Sequence, residues 1–338
     1  MRMLKAIAAM TLLACHSVAL AQGAAPQGEE DIVAVRDMAP VVVTGVQPGP
    51  GMWKVHGPDG HVLWVLGTVS PLPGTLEWKS DDVEGVIARA GVVLGRPSLV
   101  VNADVGFFSG MALVPAALRA RKNPDGAKLE DILSAGQYAR WAELKDRYLG
   151  WEWGIERWRP MFAAEKLFHA VLDKHDMQRD IVETVVAKAA DAAGREVTPV
   201  MLKLTIEEPR ELLKDMSRSD LGDVACLDRT MTAIERRMPV LVARANAWAT
   251  GDTGVLAQLP GVDAESDCLM ALFDTAFVKR QDVGDLPRQV QDLWVAAAER
   301  ALAEHTTSFA VLSIDPLLAE DGYLALLAER GYRVEAPR

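Results

Sequence analysis

The sequence predicts an α/β protein with a mixed sheet that is built from N- and C-terminal segments and interrupted by a large helical insertion. Short continuous apolar runs bounded by Gly and Pro cluster near both ends of the chain, and such runs form buried strands. Between them, from about residue 107 to 283, apolar residues recur mostly at helical spacing. Strands that alternate with helices at each end imply that part of the sheet is parallel.

Composition limits the kind of partner. Half of the 338 residues are hydrophobic, enough for one large or two modest domains. The net charge of −11 argues against nucleic acid and anionic lipid. After residue 21, no apolar run approaches the roughly 20 residues of a membrane span, so no transmembrane segment is expected. A peptide, a protein or a small ligand remains as the expected partner.

The first 21 residues have the pattern of a secretory signal peptide. Arg2 and Lys5 provide the positive start, Ala6–Ala14 is apolar, and a small-residue cleavage site ends at Ala21. Removing this segment changes the net charge from −11 to −13, because it carries two basic residues and no acidic ones. The protein is therefore expected to be exported, periplasmic or secreted. A lipoprotein anchored at Cys15 is the less favoured alternative.

The first strands are expected after an acidic leader and Pro/Gly linker at residues 22–51. Met52–Val55 and Val62–Leu66 are predicted to pair as a hairpin around a Pro-Asp-Gly turn. Ser80–Arg89 follows as a helix with Ser80 as its N-cap. Val92–Leu94 then forms a short buried strand that Gly95-Arg96-Pro97 ends. Residues 52–338 are expected to form a single domain that contains the insertion at about 107–283.

The insertion is predicted to be helical apart from one strand, Val197–Leu204. Its apolar residues recur at helical spacing in seven stretches. The predicted helices are Phe107–Ala120, Leu129–Tyr148, Pro160–Lys174, Asp180–Ala193, Glu207–Met216, Asp220–Thr250 and Asp263–Lys279. An aromatic stretch at Trp151, Trp153 and Trp158 is interpreted as packing between the helices and the sheet, with stacking of a sugar or peptide as the alternative.

The C-terminal segment returns to alternating helix and strand. Asp285–Glu304 is an amphipathic helix with one apolar stripe. Phe309–Leu312 is a strand, Glu320–Arg330 a helix, and Tyr332–Val334 the last strand.

Two cysteines, Cys226 and Cys268, follow the signal peptide. In an oxidising exported compartment they are expected to pair. A disulfide closing this loop of about 40 residues would stabilise the protein by roughly 3–4 kcal/mol in the chain-entropy model. Two buried free thiols are the alternative.

The two ends of the chain together resemble the TraB/GumN family, which includes the Tiki-type proteases. The first motif is a strand that ends in Gly67-Thr68 and continues into the Leu72-Pro73 turn. The second combines Gly322, a Leu-rich helix over Leu324–Leu327, and Gly331-Tyr332-Arg333-Val334. The resemblance extends from Met52 to Val334. It implies an α/β protein with a metal-dependent hydrolase site, for which two His and one carboxylate would be a plausible set of ligands for a divalent metal.

The chain departs from the family pattern where that metal is expected. Ser70 stands in place of the first His, and Asp315 in place of the second. Arg96 lies where the family carries an acidic patch. The family's Arg-Asn pair corresponds to Arg280-Gln281. Ser is a poor metal ligand and Arg is none, so no cofactor is expected, and a divalent metal would need a rearranged site.

Six residues are the candidate binding site, and none is a secure catalytic residue. They are Gly67, Thr68, Ser70, Arg96, Arg280 and Asp315. For Ser70, a turn serine that bonds backbone is favoured over a nucleophile, because Pro71 lacks the N–H of an oxyanion hole. For Asp315, an N-cap or turn role is favoured over acid–base chemistry. Arg96 and Arg280 would line an anion-binding cleft or pair with surface carboxylates.

Three functions remain open from the sequence. The first is an exported TraB/GumN-like protein with a degenerate metal-hydrolase site and a binding or envelope-associated role. The second is an active hydrolase or peptidase, either metal-dependent or with a set rearranged around Ser70, Asp315 and Arg280. The third is a structural interaction protein that works through its helical surface.

Overall fold

A computed structural model of the chain describes residues 49–103, 107–261 and 284–337. All of them belong to one compact unit, Val43–Arg338. The predicted signal peptide, most of the leader, and the predicted helix Asp263–Lys279 lie outside the described residues. Within the described ranges, no helix combines the length and apolar character needed to cross a membrane.

The strands form one six-stranded mixed sheet and one two-residue pair. In chain order they are β1 (Met52–His56), β2 (Val62–Thr68), β3 (Leu72–Pro73), β4 (Val92–Ala103), β5 (Met177–Gln178), β6 (Val197–Ile206), β7 (Thr307–Ser313) and β8 (Arg333–Glu335). The large sheet has the order β6-β4-β7-β2-β1-β8. Its first four strands are mutually parallel, whereas β1 is antiparallel to both β2 and β8. Strands β3 and β5 pair with each other.

The helices flank this sheet and form most of the chain between β4 and β7. In chain order they are α1 (Asp81–Arg89), α2 (Phe107–Ala120), α3 (Leu129–Ile132), α4 (Ala135–Tyr148), α5 (Pro160–Lys174), α6 (Ile181–Ala192), α7 (Pro209–Met216), α8 (Asp223–Thr232), α9 (Met238–Ala249), α10 (Thr253–Gln258), α11 (Leu286–Glu304), α12 (Ile314–Leu318) and α13 (Tyr323–Glu329). A π-helical turn, Ala233–Arg237, joins α8 to α9. The predicted α/β class with a mixed sheet is confirmed.

The predicted end of strand β4, at Leu94, is wrong. Strand β4 continues through Gly95-Arg96-Pro97 to Ala103. Its register with β6 shifts between Leu94 and Pro97, and this irregularity accommodates a proline that has no N–H for a regular ladder. Pairing with β7 stops at Leu94. Beyond that point β4 and β6 continue as a two-stranded parallel ribbon.

Other boundaries also differ from the prediction, one of them for a local reason and one because of pairing with a distant strand. The expected helix Leu129–Tyr148 is divided into α3 and α4, because Ser134 and Gln137 form a capping box that begins a new helix. Strand β2 does not stop at Gly67 but pairs in register with β7 as far as Thr68 and Ser313.

Two hydrophobic cores are present. The larger surrounds the sheet and includes Trp53, Trp248 and Trp294. The smaller lies among α3, α4, α5 and α8 and includes Trp141 and Phe168. The carboxyl ends of β2 and β7 belong to the first core, and α5 carries much of the second.

Gly67 is required by close packing in β2. A Cβ atom there would lie 2.5 Å from Ile314 Cδ1 and 3.1 Å from the Trp53 ring. We expect Gly67→Ala to lower the free energy of unfolding by about 1–3 kcal/mol, as overpacking of a core does. Urea unfolding measures this loss. The matched control is Gly136→Ala in α4, where a Cβ meets no atom within 4 Å. That control is expected to stabilise by up to about 1 kcal/mol, and equal losses in both variants would contradict the packing argument.

Candidate functional site

A cleft of about 130 Å³ opens where β2 and β7 end. The carboxyl ends of parallel strands are where α/β folds usually bind ligands. Thr68 and Ser70 enter the cleft from the end of β2, and Ser313 and Asp315 from the end of β7. Phe168 of α5 lies against it from the second core. The cleft therefore lies at the boundary between the two hydrophobic cores.

The structure brings four of the candidate residues together here. Thr68, Ser70, Arg96 and Asp315 all line the cleft. Gly67, the residue before Thr68 in β2, is not among the described lining residues. The sixth candidate, Arg280, falls outside the described residues, as does Cys268, so the disulfide with Cys226 stays a prediction.

Both hydroxyl groups from β2 are engaged by backbone. Ser70 Oγ donates to the Arg179 carbonyl oxygen at 2.9 Å, and Thr68 Oγ1 donates to the Leu312 carbonyl oxygen at 3.2 Å. A serine nucleophile needs a base that takes its proton, and the described residues that line the cleft include no His or Lys. Ser70 Oγ is therefore held by a backbone carbonyl oxygen that is distant in the sequence.

Of the two structural roles expected for Asp315, N-cap or turn residue, the N-cap role is wrong. Ser313 occupies the N-cap position of α12, and Asp315 lies in the first turn. Its carboxylate accepts a hydrogen bond of 2.6 Å from Arg244 Nη2. The Arg244 side chain is only 2% exposed, whereas that of Asp315 is 49% exposed. A buried guanidinium requires a charged partner, and this requirement fixes the orientation of the carboxylate.

Two arginines of the cleft, Arg179 and Arg244, were not predicted. Arg179 follows β5, whose pairing with Leu72–Pro73 brings it beside Ser70. Its guanidinium lies 5.6 Å from the Phe168 ring centroid. Arg244 is the single charged residue of α9, and a lone charge in a mostly apolar helix could have marked it as a candidate site residue. No sequence pattern marks Arg179.

Arg96 lines the cleft and also pairs with a carboxylate, so the two roles expected for it do not exclude each other. It lines the cleft at the irregularity of β4, and its Nε lies 2.9 Å from Glu183 Oε1 on α6. Arg96, Arg179 and Arg244 together bring three guanidinium groups to the cleft, and two of them pair with carboxylates, Arg96 with Glu183 and Arg244 with Asp315. This concentration of positive charge contrasts with the chain's net charge of −11.

The side chains at the cleft do not fit the divalent metal that the resemblance implies. Within the described ranges, no three His, Cys, Asp or Glu residues lie together in a way that could hold an ion. Asp315 is the one carboxylate among the described lining residues, and it already pairs with Arg244. Three guanidinium groups would also repel a cation. A site for Zn²⁺ or a similar ion needs several oxygen, nitrogen or sulfur ligands.

The aromatic stretch after α4 departs from its predicted role. Trp151 and Trp153 are 90% and 85% exposed, and their ring centroids lie 5.8 Å apart. Only Trp158 packs, with the Arg121 guanidinium 3.9 Å from its ring centroid. The packing interpretation is therefore wrong for Trp151 and Trp153, which lie in a turn beyond the end of α4.

Comparison with known proteins agrees with the two motifs at the ends of the chain. No curated protein and no solved structure matches the sequence. The model of the TraB/PrgY/gumN family, however, matches residues 51–336. This range contains the whole six-stranded sheet, both cores and the cleft. The chain belongs to the TraB/PrgY/gumN family.

Proposed function

We propose that this protein is an exported, non-catalytic member of its family that binds an anionic group of a peptide, protein or small ligand in the arginine-lined cleft. The observation that carries the proposal is the convergence of Arg96, Arg179 and Arg244 at the strand ends where the family chemistry is expected. Export is inferred from the sequence pattern of the first 21 residues.

The size and charge of the cleft support one anionic functional group as the bound part. Its volume of about 130 Å³ is below the roughly 300–1,000 Å³ of pockets that enclose a drug-sized molecule. A carboxylate or phosphate is small enough to enter. Guanidinium groups bind these anions through charge-assisted hydrogen bonds, often in pairs. The rest of a larger ligand would lie outside the cleft.

The alternative is a hydrolase with a rearranged site around Ser70 and Asp315, with Arg280 as a third member. The hydrogen bond from Ser70 to a backbone carbonyl and the pairing of Asp315 with Arg244 both oppose it. Each group would have to give up its present partner before it could act on a substrate.

Calorimetric titration with inorganic phosphate and with succinate, at fixed ionic strength, tests the proposal. We expect the wild-type protein to bind at least one of them. Arg96→Gln is expected to weaken binding about 10- to 150-fold, since a hydrogen bond to a charged group contributes about 1.5–3 kcal/mol. The matched control is Arg330→Gln. Arg330 pairs with Glu299 at 2.8 Å, much as Arg96 pairs with Glu183, but it lies outside the cleft.

Two results would contradict the proposal. Equal affinities in Arg96→Gln and Arg330→Gln would show that binding does not depend on the cleft. The second is stoichiometric metal in the purified protein, or peptide cleavage stimulated by Co²⁺ or Mn²⁺, either of which would restore the metal-hydrolase alternative. Metal-independent cleavage that is lost in Ser70→Ala would instead support the rearranged site.

A further inference from the structure

Two tryptophans project into solvent from the turn that follows α4. Trp151 and Trp153 are 90% and 85% exposed, more than any other large hydrophobic residue in the described ranges. The chain has nine tryptophans, and all the others are buried or partly buried. Two large apolar rings that lie side by side in water do not stabilise the fold by burial, so their position needs another explanation.

We call residues 150–154 the tryptophan turn, and both of its ends are fixed. At its start, the N–H of Gly150 donates to the Lys145 carbonyl oxygen at 2.9 Å, which closes the last turn of α4. Directly after Gly154, Ile155 is fully buried in the smaller core. The two rings are therefore carried by a short turn with anchored ends, rather than by a long loop.

The two rings contact each other and are inclined. Their centroids lie 5.8 Å apart, and their planes make an angle of 47°. This separation is within the range of about 4.5–7 Å for aromatic rings in direct contact. No group therefore inserts between them, as a proline ring or a methylated ammonium does between the rings of other aromatic sites. A ligand would lie across the outer faces, and one flat ring could stack on only one of them. Two rings joined by a rotatable bond could stack on both.

Charged groups of both signs lie beside the tryptophan turn. Lys166 Nζ of α5 is 3.9 Å from Glu152 Oε1, and the two side chains are 45% and 39% exposed. Arg147 pairs with Glu143 at 2.7 Å near the end of α4. Carboxylates accept hydrogen bonds from hydroxyl groups, and cationic side chains donate to them. Such surroundings fit a neutral ligand that has an apolar face and a hydroxyl-rich rim.

We propose that the tryptophan turn binds a neutral oligosaccharide, with successive sugar rings stacked on Trp151 and Trp153. A pyranose ring has a face of C–H groups, and the electron-rich face of an aromatic ring attracts such groups. Its hydroxyl groups lie around the rim, where Glu152 and Lys166 are available as hydrogen-bond partners. The glycosidic linkage supplies the rotatable bond that the inclined rings require. None of the described residues of the arginine-lined cleft belongs to this turn, so the proposal does not rest on anion binding there.

Two other partners fit the tryptophan turn less well. A buried tryptophan covers about 150–250 Å², so two of them offer less than the roughly 800 Å² that each partner of a stable protein complex buries. Insertion into an anionic membrane surface is opposed by the net charge of −11. Insertion would also carry Glu152, which lies between the two tryptophans in the sequence, toward the hydrocarbon, and a carboxylate there is costly.

Calorimetric titration with three neutral hexasaccharides, namely cellohexaose, maltohexaose and N-acetylated chitohexaose, tests the proposal. We expect the wild-type protein to bind at least one of them, and to bind the corresponding monosaccharide at least about 10-fold more weakly, because only one ring is then stacked. Trp151→Ala and Trp153→Ala should each weaken hexasaccharide binding at least about 10-fold, since each removes an aromatic anchor. The matched control is Met111→Ala in α2, where the side chain is also exposed, at 60%, and it should bind like the wild-type protein.

Trp151→Phe distinguishes loss of stacking from a general disturbance of the turn, because it keeps an aromatic face. It should recover most of the affinity that Trp151→Ala loses. Failure of all three hexasaccharides to bind, or wild-type affinity in both alanine variants, would overturn the proposal. Flotation with phosphatidylcholine vesicles that Trp151→Ala abolishes would replace it with a membrane contact. A wild-type dimer that Trp151→Ala converts to a monomer would replace it with a contact between proteins.

Discussion

Replacing Arg159 by Met is expected to lower the free energy of unfolding by about 3–5 kcal/mol, because it leaves a buried carboxylate without its cation. The side chains of Arg159 and Asp223 are 4% and 9% exposed. Arg159 donates two hydrogen bonds to Asp223 Oδ2, and others to the carbonyl oxygens of Met216 and Ser219. One side chain at the start of α5 therefore holds the chain that leads into α8. The Asp223 Oδ1 atom is buried without a hydrogen bond, so this carboxylate depends on its bonds to Arg159.

Urea unfolding of two further variants separates loss of the pair from loss of a side chain. Arg330→Met removes an arginine from a half-exposed pair with Glu299 and should cost no more than about 1 kcal/mol. The double variant Arg159→Met/Asp223→Leu should recover part of the loss, because no lone charge stays buried. If the double variant is as unstable as Arg159→Met, the unpaired carboxylate is not the cause.

The parts of the fold that were predictable from the sequence are those governed by local patterns. Val62–Leu66 is a short apolar run with a turn before it and breakers after it, so its place as a buried central strand could be predicted. The extension of β4 could not, because Pro97 normally ends a strand. The partner that allows it to continue, β6, begins about 100 residues later in the chain. The non-local pairing of β4 with β6 therefore outweighed the local tendency of Pro97 to end a strand.

The same distinction applies to the candidate site. Thr68, Ser70 and Asp315 could be placed together because the ends of neighbouring parallel strands meet at one edge of a sheet. The partner of Asp315 is Arg244, 71 residues away on α9, and no local pattern links the two. An N-cap or turn role was the expectation for an Asp before Pro, and the N-cap role is the part that the structure contradicts. The structure differs because a buried guanidinium has a stronger requirement for the carboxylate than an exposed helix terminus has.

Replacing Trp248 by Ala is expected to destabilise the protein by about 3–5 kcal/mol and to weaken anion binding as well, since a large buried side chain leaves a cavity. Trp248 is 1% exposed, and its ring lies 5.1 Å from that of Trp78. Its Nε1 donates to the Gly67 carbonyl oxygen at 2.6 Å. Arg244 lies one turn earlier on the same helix, so Trp248 fixes α9 against the strand that delivers Ser70 to the cleft.

Trp248→Phe separates the hydrogen bond from the volume, because it keeps most of the ring but leaves the Gly67 carbonyl without this donor. We expect it to cost about 1–3 kcal/mol, the range for a buried polar group that loses its partner. Urea unfolding and phosphate titration are measured together. Trp151→Ala, at a residue that is 90% exposed, should change stability by no more than about 0.5 kcal/mol. A Trp248→Ala variant that loses stability but binds phosphate with the wild-type affinity would show that Trp248 supports the core and not the cleft. A parallel loss of both would show that the packing of α9 on β2 positions the arginine that the proposed function requires.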